Sequence, residues 1–365
     1  MNQHYWSPVF TSQFSICPIP FHVDTYMGCV FDCVYCFARH ITDFHRRKSD
    51  KLFAKDIEAN DPVKFSNWMK RQTNSTNTTN PTIVALKNRV PMKIGSISDP
   101  CPGIERSFHI TEDFLKVLHE YDYPVQIQTK NPIILAEILA KFPDKLNLVA
   151  SVTIITMRDD RARLVEPYAP LPFQRVKGIK MLTDLGYPVI TKVQPAIYPF
   201  ILEDLEDIVS ASKEAGAWAF NTEGLKLKIS MPKPEQLLVE SALPGIRETY
   251  KKLGMRERSD YVMTDERKLE YITLAEEMSK KYNIVYFSAD NTPLGHGSGD
   301  ECCGTEKLRN YKKFSYNHRT MAFQAPDADD PILSCPIKFM WGAKNKSMTI
   351  KEFVDESKPA GNGSV

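Results

Sequence analysis

Between Met27 and His40 the chain reads MGCVFDCVYCFARH, which places Cys29, Cys33 and Cys36 in C-x₃-C-x₂-C spacing. No other stretch limits the fold as tightly. Three thiols this close, with no fourth cysteine beside them, suit a metal centre better than a disulfide. Thiolates are the usual ligands of iron–sulfur clusters. A four-iron cube held by three of them leaves one iron without a protein ligand, an open position like the one a catalytic metal keeps for substrate. Tyr35, just before the third cysteine, sets an aromatic ring there to exclude water. The competing reading is structural zinc or an inert iron–sulfur centre. Zinc favours paired C-x₂-C units with a second pair further on. Here the first gap is three residues, and no further C-x₂-C or H-x₃-H follows.

Such a centre needs a sizeable core around it. A chain of 365 residues with 42% hydrophobic content has room for one barrel-sized domain with additions. Lys and Arg total 47 against 45 Asp and Glu, a formal charge of +2. That balance does not predict a strongly nucleic-acid-binding surface. The basic run His45-Arg46-Arg47-Lys48 reads as a solvated helix face, with phosphate contact as the alternative. MNQHYWSPVF has no basic-then-apolar signal layout, and no apolar run approaches the roughly 18 residues of a membrane span. The expectation is a cytoplasmic protein with no membrane partner, its eight cysteines serving as thiols or ligands in a reducing compartment.

Around the cysteines the pattern alternates between strand and helix. Phe21–Met27 is predicted as a first strand running straight into the cysteine loop. Asp61-Pro62 opens a helix, with Asp as N-cap and Pro in the first turn, that reaches Arg71. The Ser/Thr/Asn tract Gln72–Asn80 holds no apolar residue and is predicted as a loop. Strands follow at Met92–Ile97, Val125–Thr129, Leu146–Ile155, Val189–Gln194 and Trp218–Asn221, the last extended by Leu225–Ile229. Helices fall at Thr111–Tyr121, Ile133–Lys141, Phe173–Leu185 and Leu202–Ala215. This rhythm implies right-handed crossovers and a parallel sheet. The fold class is therefore α/β, a partial (βα)₆ barrel with a C-terminal extension. A complete eight-unit barrel is the alternative, because Glu266–Lys280 and Ile284–Ser288 make one more helix–strand pair. In such folds the polar residues at strand ends meet at one mouth.

Several blocks resemble the spore photoproduct lyase-like branch of the radical S-adenosylmethionine (SAM) superfamily. They are Tyr26–Arg39, GSISDPCPGIE (Gly95–Glu105) with Thr111, QTKN (Gln128–Asn131), ASVTIIT (Ala150–Thr156) and RLVEPYAPLPFQR (Arg163–Arg175) followed by MLTDLGYPV. The likeness spans roughly residues 20–200. It implies a [4Fe–4S] cluster on Cys29, Cys33 and Cys36, SAM on the fourth iron, and a 5′-deoxyadenosyl radical that takes hydrogen from an organic substrate. It also implies that Tyr35 and Phe37 pack near the cofactor, and that Lys130 and Ser151 face the SAM carboxylate. Gly95, Ser96 and Ser98 would let backbone approach the SAM amino group, and Asp99, Glu105 and Glu166 are candidate partners for SAM or substrate. For Asp99 a turn role before Pro100 competes. By this likeness the substrate is a pyrimidine base in a nucleotide or DNA, and the electron donor a flavodoxin or ferredoxin. Two positions depart from the branch. Phe37 stands where a hydrogen-relay tyrosine is expected, and Ser96 where a hydrogen-donating cysteine is. Cys101 in the same loop is the substitute thiol.

Beyond residue 230 the likeness fades. Pro232–Leu253 and Asp265–Lys281 are predicted as helices. Strand Ile284–Ser288 leads into ADNTPLGHGSGDECCGTEK, and Cys335 follows Cys302 and Cys303 in SCPIKFMWG. Three readings stay open for these cysteines: inert thiols, a second iron–sulfur cluster or metal site, and a hydrogen-donor or electron-relay thiol. The predicted organisation is an N-terminal arm (1–20), the partial barrel (21–230), an α/β extension with the cysteine loop (231–357) and a disordered tail (358–365). Two functional alternatives remain, radical modification of a peptide or small metabolite with an auxiliary cluster, and a non-catalytic, metal-stabilised nucleic-acid-binding protein.

Overall fold

The structure, a computed structural model, describes residues 3–10, 19, 21–39, 54–77, 80–290, 292–293, 295–299, 302–310, 316–317 and 322–323. Cys335, the basic run 45–48 and the tail lie outside them.

The strands are β1 (Gln3–His4), β2 (Val9–Phe10), β3 (Phe21–Val23), β4 (Tyr26–Met27), β5 (Glu58–Asn60), β6 (Met92–Ile94), β7 (Val125–Thr129), β8 (Leu148–Thr153), β9 (Val189–Ala196), β10 (Ala219–Gly224), β11 (Leu227–Lys228), β12 (Gly254–Glu257), β13 (Asp260–Met263), β14 (Val285–Ser288), β15 (Tyr316–Asn317) and β16 (Ala322–Phe323). The main sheet has the order β14-β10-β9-β8-β7-β6-β3-β2. All its neighbouring pairs are parallel except β2 against β3. That makes seven parallel strands, the six expected and Val285–Ser288 as a seventh. Among the described residues the sheet is open at β14 and β2 and forms no closed eight-unit barrel.

The predicted α/β rhythm is present with small shifts at the element ends. Asp61 caps the helix Pro62–Thr73 by accepting the Lys64 amide (3.0 Å), and Pro62 occupies its first turn. Val125–Thr129 is the strand as read. The Phe21–Met27 strand is instead broken at Asp24-Thr25, and its second half pairs with β5. Leu227–Lys228 leaves the main sheet for a small antiparallel one with β12 and β13. Pro244-Gly245 splits the long helix expected over Pro232–Leu253 into Lys233–Ala242 and Ile246–Leu253.

Alternation along the strands sorts the side chains onto two faces. Phe21, Val23, Met92, Ile94, Val125, Ile127, Ala150, Val152 and Val189 pack into the large core with the helices. The opposite face is more polar. It carries His22, Lys93, Gln126, Gln128, Ser151, Lys192 and Asn221, with a small apolar cluster of Val149, Ile190, Ala219, Phe287 and Leu308. Residues 302–309 cross that face. Asn221 Nδ2 donates to the Cys302 carbonyl (2.6 Å), and Asn147, just before β8, exchanges hydrogen bonds with the Arg309 backbone (2.7 and 2.9 Å). Among the described residues no helix is long and apolar enough to cross a membrane.

Candidate active site

The loops at the C-terminal ends of β3, β6, β7 and β8 bring the named residues together, the edge where parallel α/β folds hold their ligands. The cysteine loop is fastened from several directions. Val34 N–H donates to the Val165 carbonyl (3.0 Å), Cys36 N–H to the Cys33 carbonyl (3.1 Å), and Arg39 pairs with Asp32 while reaching the Cys33 carbonyl (3.4 Å).

Cys29, Cys33 and Cys36 carry no disulfide. Burial, the largest cause, pushes the Cys29 thiol up to about 12, with the charges of Asp99 and Cys36 adding to it. Cys33 is raised in the same way, against the pull of Lys130. Cys36 raises both thiols further, and Cys29 raises Cys33. The backbone N–H groups of Phe31 and Asp99 both point at the Cys29 sulfur. Amide donors to cysteine sulfur are a means by which proteins tune iron–sulfur clusters. Among the described residues no three metal-ligating side chains converge on a single ion. Three free thiols on one short loop, with amide donors to the Cys29 sulfur, are the donor chemistry of an iron–sulfur cluster.

Behind the loop lies a buried charge network. Glu166 and Arg175 are both 1% exposed, with Arg175 Nη2 2.5 Å from Glu166 Oε2. Lys130 Nζ is 3.7 Å from Glu166 Oε1 and 5.7 Å from the centre of the Tyr35 ring, and the Tyr35 hydroxyl donates to the same carboxylate. Burial is the largest influence on Glu166 and raises its pKa, but Arg175 and Lys130 together hold the carboxyl below its ordinary value. For Lys130, burial is outweighed by Cys33 and Glu166, and the ammonium is held above its usual value.

The loop after β6 is held by two carboxylates. Asp24 accepts the backbone N–H groups of Ser96 (2.7 Å), Ile97 (3.0 Å) and Ser98 (3.3 Å). Asp99 accepts from the Cys101 amide (2.9 Å), the Thr129 hydroxyl (2.7 Å) and the Lys130 amide (2.7 Å), tying the loop to the end of β7. Ser98 Oγ donates to the Gly28 carbonyl of the cysteine loop. Gly95 sits at φ +90°, where a Cβ would lie 2.4 Å from the Gln128 carbonyl. Ser96 Oγ is buried without a hydrogen-bond partner among the described residues, a donor left over for a ligand.

Several expected ligand residues have other work here. Both oxygens of Asp99 are engaged by protein donors. Glu105 accepts the Tyr26 hydroxyl and the Thr111 and Glu112 amides (3.1 and 3.0 Å), serving the N-terminus of the helix Ile110–Glu120. Ser151 lies on the polar sheet face and accepts from Gln126 Nε2 (2.5 Å). Cys101 is fully buried. Phe37, expected near the cofactor, begins a helical turn and stands 42% exposed. Asp24 and Arg175 were not singled out in the sequence. Arg175 sits inside a quoted block, but only the fold reveals its partner.

No protein-family model matches the chain. An uncharacterized protein of Methanocaldococcus jannaschii is 22% identical over 192 residues, covering 52% of this chain and 65% of that protein, so the match stops short of two thirds of the relative's length. Among solved structures, spore photoproduct lyase complexed with dinucleoside spore photoproduct aligns at a TM-score of 0.52 and 16% identity, over 74% of each chain. A tyrosine-to-phenylalanine mutant of the same enzyme aligns at 0.54, over 76% of this chain and 77% of that one. Another mutant of the enzyme was solved with bound AdoMet. The chain has the fold of spore photoproduct lyase, and the resemblance read from its blocks holds at the level of the fold.

Proposed function

We propose that the protein is a radical SAM enzyme whose Cys29, Cys33 and Cys36 hold a [4Fe–4S] cluster. The observation that carries this is the three-thiol loop, with amides aimed at the Cys29 sulfur, at the C-terminal edge of this sheet. Bound on these three thiols, the cluster would supply the electron for reductive cleavage of SAM. The residues of the chain bind and orient. Lys130, cationic beside Cys33, supplies the charge for the SAM carboxylate. Ser96 Oγ supplies a donor not used within the protein. Glu166 and Arg175 hold Tyr35 and Lys130 in place, and the half-buried Tyr35 ring keeps water from the centre.

For the substrate we take the pyrimidine class, in a nucleotide or DNA, from the fold neighbour that holds dinucleoside spore photoproduct. A flavodoxin or ferredoxin is the proposed electron donor.

The test is spectroscopic. Protein reconstituted with iron and sulfide without oxygen, then reduced, is expected to show a cluster signal in electron paramagnetic resonance that shifts when SAM is added. A zinc-loaded protein, or a signal indifferent to SAM, would overturn the assignment. Conversion of dinucleoside spore photoproduct in the same sample would support the substrate class, and no conversion would count against it.

A further inference from the structure

The polar face of the main sheet carries a buried ammonium that the chemistry above does not use. Lys192 of β9 is 5% exposed. Its Nζ donates to Gln128 Oε1 of β7 (2.9 Å), so its side chain reaches across the intervening strand β8. Gln128 is in register with Ser151 of β8, and Lys192 with Thr153 of β8 and Asn221 of β10. Backbone contacts tie this group to the cysteine loop. The Gln128 carbonyl fills the space beside Gly95, where a Cβ would lie 2.4 Å from it, and Ser98 of the same loop donates to the Gly28 carbonyl next to Cys29.

Among the described residues nothing neutralises this ammonium. Lys192 forms no ion pair there, and Glu223, a carboxylate whose charge reaches it, is paired with Lys226 at 2.6 Å. Burial, and then Lys93 on the same face, pulls it down to about 8. A buried ammonium with one neutral acceptor keeps two unused N–H groups and an uncompensated desolvation cost. Two acceptors on the same face are unused as well. Asn221, fully buried, gives its Nδ2 to the Cys302 carbonyl (2.6 Å) and leaves Oδ1 without a partner. Gln126, fully buried, gives its Nε2 to Ser151 Oγ (2.5 Å) and leaves Oε1 without one. Buried polar atoms are paired as a rule. A cation without an anion, beside two acceptors without donors, is the complement of a ligand that brings an oxyanion together with N–H or O–H groups.

We propose that Lys192 is the counter-charge for an oxyanion of the substrate, a phosphate or a carboxylate, and that Asn221 and Gln126 accept from the donors beside it. The inference rests on the radical-enzyme reading and narrows its substrate class: the pyrimidine carries a negative charge, as a nucleotide does and a nucleoside does not.

The test is calorimetry on cluster-loaded protein with thymidine 5′-phosphate, orotate and thymidine as probes. One of the two anions is expected to bind about tenfold or more tightly than thymidine, the gain of a charge-assisted hydrogen bond. Which anion it is tells phosphate from carboxylate. Lys192→Met should erase the preference, and Lys192→Arg should keep part of it. Without ligand, Lys192→Met should unfold at the same urea concentration as the wild type or a higher one, because it removes an uncompensated charge. Equal affinity for the three probes, binding of none, or a preference that survives Lys192→Met would overturn the proposal. So would a loss of SAM affinity in that variant, which would give the cation to SAM, or a marked loss of stability, which would make its role structural. Deoxyadenosine formation by the wild-type protein reports on the radical-enzyme reading separately. A Lys192-dependent oxyanion site without SAM cleavage would keep the site and remove the radical chemistry.

Discussion

Replacing Glu166 by Gln keeps the size of the side chain and an acceptor for Tyr35, and removes only the charge that Arg175 and Lys130 share. At an effective dielectric of about 20, unit charges 3.7 Å apart attract by about 4.5 kcal/mol, and the Arg175 contact at 2.5 Å is closer still. Desolvation of the three groups offsets much of that gain in the native protein. The variant keeps the desolvation cost and loses the attraction, leaving the buried Arg175 and the half-buried Lys130 without their counter-charge. A loss of about 3–5 kcal/mol is expected, as for other buried pairs stripped of one partner. The assay is urea unfolding followed by tryptophan fluorescence, without oxygen, on Glu166→Gln and on the double variant with Arg175→Met. The double variant should recover part of the loss, because one stranded charge goes with its partner. A cost below about 1 kcal/mol for Glu166→Gln would mean that water screens the network, and would refute the reasoning.

The pH dependence of Glu166 follows from the same network. Its folded pKa is lowered, so its stabilisation is present above the ordinary carboxylate value and lost as pH falls through the folded one; the Gln variant should flatten the acid limb of stability against pH. Asp24 has the opposite sign. Burial raises it to about 6, so its contribution is fullest below the ordinary aspartate value and declines as pH rises toward 6, a slope that Asp24→Asn should remove from the unfolding free energy. Gly95→Ala drives a Cβ into the Gln128 carbonyl at a positive φ, and should cost at least about 1–3 kcal/mol in the same assay and weaken SAM binding by calorimetry. Alanine at Cys29, Cys33 or Cys36 should each abolish stable iron and sulfide incorporation, read by chemical analysis of the reconstituted protein.

Legibility in the sequence tracked the range of the interactions. Val125–Thr129 is flanked by turn residues and all but one of its residues are buried, so local pattern was enough. The helix after Asp61-Pro62 carries its cap and first-turn proline in adjacent positions. The break in Phe21–Met27 could not be read that way, because Asp24 is claimed by amides more than 70 residues away. Asp99 and Glu105 look like free acids in the sequence, and only folding brings the amides that occupy them. Phe37 shows the reverse limit. Its place beside Cys36 suggested cofactor contact, but the helical turn it begins directs it outward. At Cys302 and Cys303 the adjacency was visible, whereas Asn221 of β10, which donates to the Cys302 carbonyl, is set against them only by the fold.

The central claim is that three cysteines of one loop hold a cluster that cleaves SAM. The most direct measurement is chromatographic: protein reconstituted without oxygen, dithionite and SAM are combined, and 5′-deoxyadenosine is quantified beside iron and sulfide. Deoxyadenosine is expected in proportion to cluster, and none from Cys33→Ala. A fully loaded cluster that leaves SAM intact, with or without dinucleoside spore photoproduct present, would contradict it.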